Sequence, residues 1–426
     1  MSLNKEKRRV VITGMGVVSP FGQGTDCLIN NILAGNCSIK VDEEIRDRQD
    51  VSCFLSSKVP TLDYSDIASQ KIRFMSNMSL FAYRAVEEAI TNAGFVSGLP
   101  PEKTALFLGS TTSSYISWID NVLKYTERRM DKFTTDNLFN IMNHTALVNV
   151  AHSFKLKWSG VGANTACSTG VINTGYAYLA IKEGIFDNAL CGGTEEFHVI
   201  MLGLFNHMTA VSDKFNDDPN KSCRPFDANR CGIVCAEGCG MLFLETLDSA
   251  LSRNVKIYGE IVGFGTNTEI NNMSYSSKSS IKECMSLALE NANLDASEID
   301  FVNAHATGTI VGDAEEAQSI GEIFGDNVWT NSLKGYIGHT MAASGSIELI
   351  AILKMMENGK FAGTLNLENV DAKCSGIKHF SGVKNLKVTT FIKNSLALGG
   401  SNASLIVRKI AGNNILGGKC DERRNY

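Results

Sequence analysis

A cysteine surrounded by small residues is the first feature of this sequence that could do chemistry. Cys167 lies in the segment Asn-Thr-Ala-Cys-Ser-Thr-Gly, and apolar residues at three- and four-residue spacing follow it. This spacing predicts a helix that begins just after the thiol. Because a helix N-terminus favours negative charge, we expect the thiol to ionise readily, and the thiolate is the nucleophilic form. A buried structural cysteine is the alternative, and the local sequence leaves both interpretations open.

Three further segments place polar groups at turns in otherwise apolar surroundings. His305 follows a predicted buried strand, and Lys334 and His339 lie on a turn that leads into a second predicted helix. Gly399 and Gly400 form a turn between two predicted strands, where backbone amides can line a cavity. We expect the other histidines to be ordinary core or surface residues: His144, His152, His198, His207 and His379.

Composition limits the class of protein. A chain of 426 residues that is 44% hydrophobic and 20% charged is typical of a globular protein with two domains or one double-sized α/β unit. No apolar run reaches the roughly 18 residues of a membrane-spanning helix, and Met1–Arg9 is polar. The net charge of -5 gives no reason to expect nucleic acid. We therefore expect a cytoplasmic protein with neither nucleic-acid nor membrane partners.

Two patterns imitate sites that we do not predict. Gly14-Met-Gly16 follows a strand, as in a dinucleotide-binding turn, but the third glycine is missing and Pro20 follows. Cys231, Cys235 and Cys239 recur every four residues, yet no histidine or Cys-x-x-Cys pair completes a set of metal ligands. We interpret the run from 231 to 245 as a strand interrupted by glycines, and we predict no metal site.

An internal repeat organises the chain. The segment from Cys167 to Gly184 resembles the segment that ends at Gly359, because each leads from a small-residue turn into a helix of similar length. Strand entries near Arg9 and Val255 begin the two halves. This repeat predicts duplicated α/β halves at 1–250 and 251–410, followed by a frayed tail at 411–426.

The motifs together resemble those of the β-ketoacyl-acyl-carrier-protein synthases, close to the elongating synthases of bacterial type II systems. The resemblance covers about residues 8–410. It rests on Thr-Ala-Cys167, on Asn-Ala-His305-x-Thr-x-Thr, on Lys334-x4-His339 before Ala-Ala-x-Gly, and on Gly-Gly-x-Asn402. The family implies an α/β thiolase-like fold, a layered sandwich of two duplicated halves with buried helices between mixed sheets.

The resemblance also implies a reaction. Cys167 would hold the growing acyl chain as a thioester. His305 and His339, both neutral, would donate N–H bonds to the carbonyl oxygen of a malonyl thioester and stabilise the enolate left by decarboxylation. The backbone N–H groups of Cys167 and Leu398 would bind the oxyanion that forms when this carbanion attacks the acyl group, with Gly399 completing the turn.

Further roles follow from the same resemblance. Lys334 would hold the site electrostatically and pair with Glu316, and Asp313 would be a structural acid on the same helix. Thr307 and Thr309 would bind the phosphopantetheine arm of an acyl carrier protein, although plain turn chemistry explains them equally well. No further cofactor is implied. Carrier proteins are acidic, so basic residues in the corresponding regions are docking candidates, with solvated surface charge as the alternative: Lys71, Arg73, Arg128, Arg129 and Lys214.

The sequence departs from the family pattern at three places. Fatty-acid synthases usually carry Phe-Gly-Phe-Gly-Gly at the last turn, where this chain has Leu396-Ala-Leu398-Gly-Gly. Thr112 falls where an apolar residue often lines the acyl pocket, and Cys231 replaces an aspartate. A smaller gate and a hydroxyl suit a longer or more polar chain. We therefore favour type II polyketide or polyene synthesis, with housekeeping fatty-acid elongation as the alternative.

Two other classes fit less well. A non-catalytic chain-length factor lacks the nucleophile, whereas this chain has Cys167 together with the two histidines and the lysine. A degradative thiolase needs a second cysteine late in the chain, but Cys374 precedes the last turn and Cys420 lies in the tail. Members of the fold form dimers, so we expect either a homodimer or a heterodimer with a chain-length-factor-like subunit.

Overall fold

A computed structural model describes residues 7–95, 100–101, 103–158, 160 and 162–410. The predicted tail at 411–426 lies outside the described residues. The strands are β1 Val10–Ser19, β2 Gly22–Gln23, β3 Lys40–Val41, β4 Leu55–Ser56, β5 Ala105–Gly109, β6 Asn188–Glu195, β7 Gly238–Thr246, β8 Gly259–Thr268, β9 Phe301–Asn303, β10 Trp329–Asn331, β11 Lys360–Ala362, β12 Lys378–His379, β13 Val383–Asn385, β14 Thr390–Leu396 and β15 Ser401–Arg408.

The helices occupy the segments between these strands. They are α1 Thr25–Leu33, α2 Ser69–Ile72, α3 Asn77–Asn92, α4 Tyr115–Thr126, α5 Thr135–Asn140, α6 Thr145–Ser153, α7 Thr169–Lys182, α8 Val199–His207, α9 Leu247–Ser252, α10 Lys278–Ala292, α11 Ile310–Phe324, α12 Lys334–Ile337 and α13 Ser344–Asn358. None of the helices in the described ranges is long and apolar enough to cross a membrane.

One mixed sheet runs through both halves of the chain. Its order is β12-β10-β9-β14-β15-β8-β1-β7-β6-β5, and β2 pairs with β1 to make the eleventh strand. The antiparallel pair of β1 and β8 joins the two halves, since β1 belongs to the first and β8 to the second. Two small two-stranded sheets, β3 with β4 and β11 with β13, complete the strand pairing of the described residues.

The two faces of each strand contribute to different cores, which gives the molecule its layers. On β5, Phe107 joins the central core and Leu108 the outer core beneath α3 and α6. On β14, Phe391 joins the same central core, and Ile392 the outer core beneath α10 and α11. Helices α7 and α13 contact strands of both halves, so they form a buried layer between them. The predicted α/β fold with buried helices is confirmed.

The predicted repeat corresponds to a repeated local geometry. Each central helix is preceded by one 3-10 turn, at Ala166–Ser168 before α7 and at Met341–Ala343 before α13. The first residue of each turn has positive φ, +48° for Ala166 and +46° for Met341. Left-handed backbone is uncommon outside glycine and costs free energy, so the surrounding packing must hold both turns in place.

Two predicted boundaries are wrong. The strand expected from Val255 begins at Gly259, and the strand expected from Cys231 begins at Gly238. Cys231 lies in the preceding loop with its sulfur 3.3 Å from the Ser212 hydroxyl. Within the described part of the chain, these spaced cysteines do not converge into a metal-type cluster.

Candidate active site

The thiol of Cys167 lies at the centre of a buried polar cluster. The strained 3-10 turn places it directly before α7, and only 6% of the residue is exposed. Its sulfur is 3.1 Å from Nε2 of His339. The reactive atoms of Cys167, His305 and His339 all lie within 4.8 Å of one another. The structure therefore brings the predicted nucleophile and both predicted histidines together.

Burial has a larger effect on the thiol than its place at a helix N-terminus. Desolvation raises the pKa of Cys167 to about 11, although a backbone hydrogen bond from Leu398 and the charge of Lys334 each lower it. The expectation that this thiol ionises readily is therefore wrong, because desolvation outweighs both of these contributions. The two backbone N–H groups that face the sulfur belong to Leu398 and to Cys167 itself, as predicted for the oxyanion site.

Both histidines are neutral in this environment. Burial lowers the pKa of His305 and of His339 well below the usual range, and the charge of Lys334 lowers both further. Their rings lie edge to face, with centroids 5.1 Å apart. A neutral imidazole keeps one N–H donor, so the pair can donate two hydrogen bonds to one substrate oxygen.

The acids of α11 support the segment that carries His305. Glu316 accepts hydrogen bonds from the backbone N–H groups of His305 at 2.8 Å and Ala306 at 2.7 Å. Asp313 accepts bonds from Phe226 at 2.8 Å and from Gly308 at 3.1 Å. Burial raises the pKa of Asp313 to about 6. Both carboxyls hold backbone in place, and the structural role predicted for Asp313 matches these contacts.

Lys334 does not pair with Glu316 as predicted. Its Nζ lies 2.6 Å from Oε1 of Glu348, on α13, and the second oxygen of that carboxylate lies 2.6 Å from Nζ of Lys393. All three side chains are fully buried. Burial would raise the pKa of Glu348, but the two lysines outweigh it and hold the pKa at about 2. The pairing differs because α11 is occupied with backbone contacts, while α13 points its acid into the central layer.

Sequence reasoning missed three buried titratable residues. Glu348 and Lys393 each interrupt an apolar segment, and that isolation was the available signal. Glu195 ends β6, fully buried, and accepts hydrogen bonds from the N–H groups of Thr111 and Ala342. Burial raises the pKa of Glu195 to about 8, so this carboxyl is largely protonated at neutral pH.

A cavity opens onto the cluster and contains several of the remaining predicted residues. Thr307 and Thr309 line it, with their hydroxyls 3.3 Å apart. Leu396 and Leu398 line the same cavity, and Leu398 is 39% exposed. Gly399 follows with a φ of +87°, and its N–H donates to the Met273 carbonyl at 2.8 Å. The predicted pantetheine and gate residues thus share one entrance.

Other predicted site residues lie apart from this cluster. Thr112 follows β5, and its hydroxyl donates to the Ser113 carbonyl at 3.0 Å. The docking candidates lie on three separate segments, all at least partly exposed: Lys71, Arg73, Arg128, Arg129 and Lys214. Arg73 lies 3.5 Å from Asp136 and Arg129 lies 2.9 Å from Glu127, so these two already have acidic partners.

Comparison with protein families identifies the chain. Residues 7–250 match the β-ketoacyl synthase N-terminal domain, and residues 258–368 match the C-terminal domain. This chain belongs to the β-ketoacyl synthase family. It is a β-ketoacyl-acyl-carrier-protein synthase of the thiolase-like superfamily, and therefore an acyltransferase. The 3-oxoacyl-[acyl-carrier-protein] synthase 1 of Escherichia coli K12 is 32% identical over 412 residues, covering 95% of this chain and 99% of the relative.

Solved structures of β-ketoacyl synthases share the fold. A β-ketoacyl synthase from Burkholderia phymatum STM815 superposes with a TM-score of 0.91 at 34% identity. The ishigamide ketosynthase/chain length factor superposes with a TM-score of 0.87 at 26% sequence identity. The third structure is AntDE:AntF, a type II PKS acyl-carrier protein in complex with its ketosynthase bound to the hexaketide. It superposes with a TM-score of 0.84 at 25% sequence identity. Each comparison covers 95% of this chain and 100% of the other.

Proposed function

We propose that this ketosynthase extends acyl chains in type II polyketide or polyene synthesis, with Cys167 as the loading residue. The proposal rests on the identity and position of Leu398. Its side chain stands at the cavity entrance where fatty-acid synthases of the family usually place a phenylalanine gate, and its backbone N–H faces the Cys167 sulfur. A leucine removes ring bulk from the entrance, which suits a chain that is rigid or carries oxygen atoms.

The loading step follows from the geometry around the thiol. The Cys167 sulfur attacks the carbonyl carbon of an acyl thioester, and the N–H groups of Cys167 and Leu398 donate to the oxyanion. The bond to the carrier thiol breaks, and the proton of Cys167 leaves on that thiol. Because burial disfavours the free thiolate, we expect His339, 3.1 Å away, to assist this proton transfer.

The condensation step uses both histidines. The carbonyl oxygen of a malonyl thioester accepts their N–H bonds, the bond to the carboxylate carbon breaks, and carbon dioxide leaves. The resulting enolate is stabilised by the same N–H groups and by the buried charge of Lys334. Its carbon attacks the acyl group on Cys167, the bond between carbonyl carbon and sulfur breaks, and the Cys167 thiolate takes a proton from solvent.

The proposed partner is an acyl carrier protein, because both substrates must reach a buried thiol through a narrow cavity. Thr307 and Thr309 line that cavity and would bind the phosphopantetheine arm. We expect no further cofactor. The AntDE:AntF structure contains such a carrier, and the ishigamide structure pairs a ketosynthase with a chain-length factor. We propose that this chain likewise works as a dimer, with itself or with such a subunit.

A competition assay tests the pathway. The assay contains the enzyme, the carrier protein encoded beside it and any paired subunit. These proteins receive malonyl carrier protein and equal amounts of carrier protein loaded with saturated, polyene and poly-β-keto chains. We expect faster extension of the unsaturated or oxygenated chains. A clear preference for saturated chains would instead support housekeeping fatty-acid elongation.

A further inference from the structure

Lys393 is a buried cation for which the reaction described above has no use. It lies on β14, and its side chain points to the central layer on the same side as Phe391. Its Nζ donates to Oε2 of Glu348 at 2.6 Å and to the carbonyl of Asn394 at 2.7 Å. No part of the residue is exposed to solvent.

Glu348 accepts from three donors at once. Lys334 and Ser344 donate to Oε1 at 2.6 and 2.9 Å, and Lys393 donates to Oε2. The carboxylate is thus shared by two ammonium groups, and the three charged side chains sum to +1. Lys334 and Glu348 alone would form a neutral pair. The second lysine therefore gives this cluster of three side chains a net positive charge.

This excess charge is expensive to bury, so packing alone does not explain it. Removing an ion from water costs several kcal/mol even after relaxation, and an apolar side chain of similar volume would fill the same space at lower cost. The cost is visible at Lys393, whose pKa burial lowers to about 8 despite the attraction of Glu348. At neutral pH the group still carries its proton for most of the time.

The groups that face the reaction centre show where the charge acts. Cys167 faces Lys334 from α12, Glu195 from β6, both histidines and the buried thiol of Cys235. Lys393 in turn faces Glu348, Lys334 and Glu316. Burial keeps Glu195 largely protonated at pH 7, so it does not cancel the lysines. Lys393 also helps to lower the pKa of both catalytic histidines.

We propose that Lys393 is a positioning residue that sets the charge of the condensing site. By taking one oxygen of Glu348, it prevents that carboxylate from neutralising Lys334, and the remaining positive charge stabilises the anions formed at Cys167 and on the malonyl-derived enolate. The proposal rests on the role of Cys167 proposed above, and it extends that role by explaining how a deeply buried thiol is made reactive.

The charge of the cluster can be changed in steps without touching the residues that contact substrate. Lys393→Met keeps an unbranched side chain, one atom shorter, and lowers the net charge from +1 to 0. The double variant Lys393→Met with Glu348→Gln leaves Lys334 as the one charge and returns the sum to +1. Lys387→Met, at an exposed position before β14, is the matched control for loss of a lysine.

The rate of alkylation of Cys167 by iodoacetamide reports thiolate formation directly. The rate is followed from pH 6 to pH 10 by mass spectrometry of the peptide that contains Cys167, which separates it from the other cysteines. We expect Lys393→Met to slow alkylation at pH 7 by about three- to tenfold, since one pKa unit corresponds to a factor of ten. The difference in alkylation rate between wild type and Lys393→Met should become smaller above pH 8, where wild-type Lys393 loses its own proton.

The double variant decides between charge and packing. We expect its alkylation rate to return to within about twofold of wild type, although it lacks both the ammonium group of Lys393 and the carboxylate charge of Glu348. Thermal unfolding midpoints are measured alongside. A Lys393→Met rate equal to wild type, or a double variant as slow as the single variant, overturns the proposal. Acyl loading at Cys167 of the wild-type enzyme is measured separately by intact-protein mass spectrometry. An absence of loading there would refute the proposed function.

Discussion

Each half of this enzyme contains a strained turn before a buried helix, yet only the turn of the first half carries the proposed nucleophile. Cys167 occupies the middle of the first turn, and Ala342 occupies the middle of the second. The first turn presents its thiol to the cavity. The second turn is fully buried, and the N–H of Ala342 donates to Glu195 of the first half at 3.3 Å. One geometry thus serves chemistry in one half and support in the other.

The difference shows how the duplicated scaffold has divided its work. The first half supplies the reactive atom. The second half supplies the groups that control charge around it: His305, Lys334, His339, Glu348, Lys393 and the N–H of Leu398. Because these groups come from four segments, the site exists only when both halves are packed together.

Moving the thiol between the two turns gives the largest expected effect. Cys167→Ala should abolish the acyl adduct and reduce condensation by about a thousandfold or more, since covalent catalysis is lost. Intact-protein mass spectrometry during turnover detects the adduct. Cys284→Ala, which removes a buried thiol from α10, should retain the adduct.

Adding Ala342→Cys to Cys167→Ala should not restore loading, because the second turn does not face the cavity. An adduct in that double variant would remove the distinction between the halves.

The carboxyl of Glu195, which links the second turn to the first half, should make stability depend on pH. Glu195 has a pKa of about 8 when folded and about 4.5 when unfolded, so its stabilising contribution is complete below pH 4.5 and is lost as the pH rises towards 8. Glu195→Gln removes this titration. The free energy of unfolding of wild type minus that of the variant should fall by about 1.4 kcal/mol per pH unit between pH 5 and 7. Denaturant unfolding measures it, and a flat difference would contradict the assignment.

The contact between the two central helices should be equally sensitive from either side. A Cβ on Gly170 would lie 2.9 Å from the Ser346 nitrogen, and one on Gly345 would lie 2.6 Å from Cγ2 of Val171. We expect each change to alanine to cost about 1–3 kcal/mol of unfolding free energy by overpacking. Gly376→Ala, where nothing lies within 4 Å of the new atom, is the control. A large cost on one side alone would show that the halves do not pack symmetrically.

Substitution of the gate residue Leu398 should have the smallest effect of these changes. Leu398→Phe adds a ring at the cavity entrance and should shift the ratio of kcat/KM between saturated and polyene chains by about tenfold or less towards saturated chains. Leu287→Phe, on the outer face of α10, should leave the ratio unchanged. An unaltered ratio in Leu398→Phe would mean that chain choice lies deeper in the first half.

Local patterns singled out Cys167, His305 and His339 as candidates, because each lies at a junction where strand or turn signals meet an isolated reactive side chain. Their roles as nucleophile and hydrogen-bond donors came from the family resemblance. The fold class followed from the repeat and from the resemblance. The partner of Lys334 could not be predicted, since Glu316 and Glu348 both lie on helices and only tertiary packing decides which one points to the lysine. The raised pKa of Cys167 was missed for the same reason, because the extent of burial depends on segments more than a hundred residues away.

The place of β1 in the sheet has a consequence for biosynthesis. This strand is made before the other described strands but pairs with β7 and β8, which are made more than 200 residues later. The last contributor to the active site, Leu398, is translated near the end of the described chain. Pairing over such separations is slow to form. The nascent chain therefore carries an unassembled thiol until Leu398 has been made, so condensing activity can begin only after both halves of the described chain have been translated.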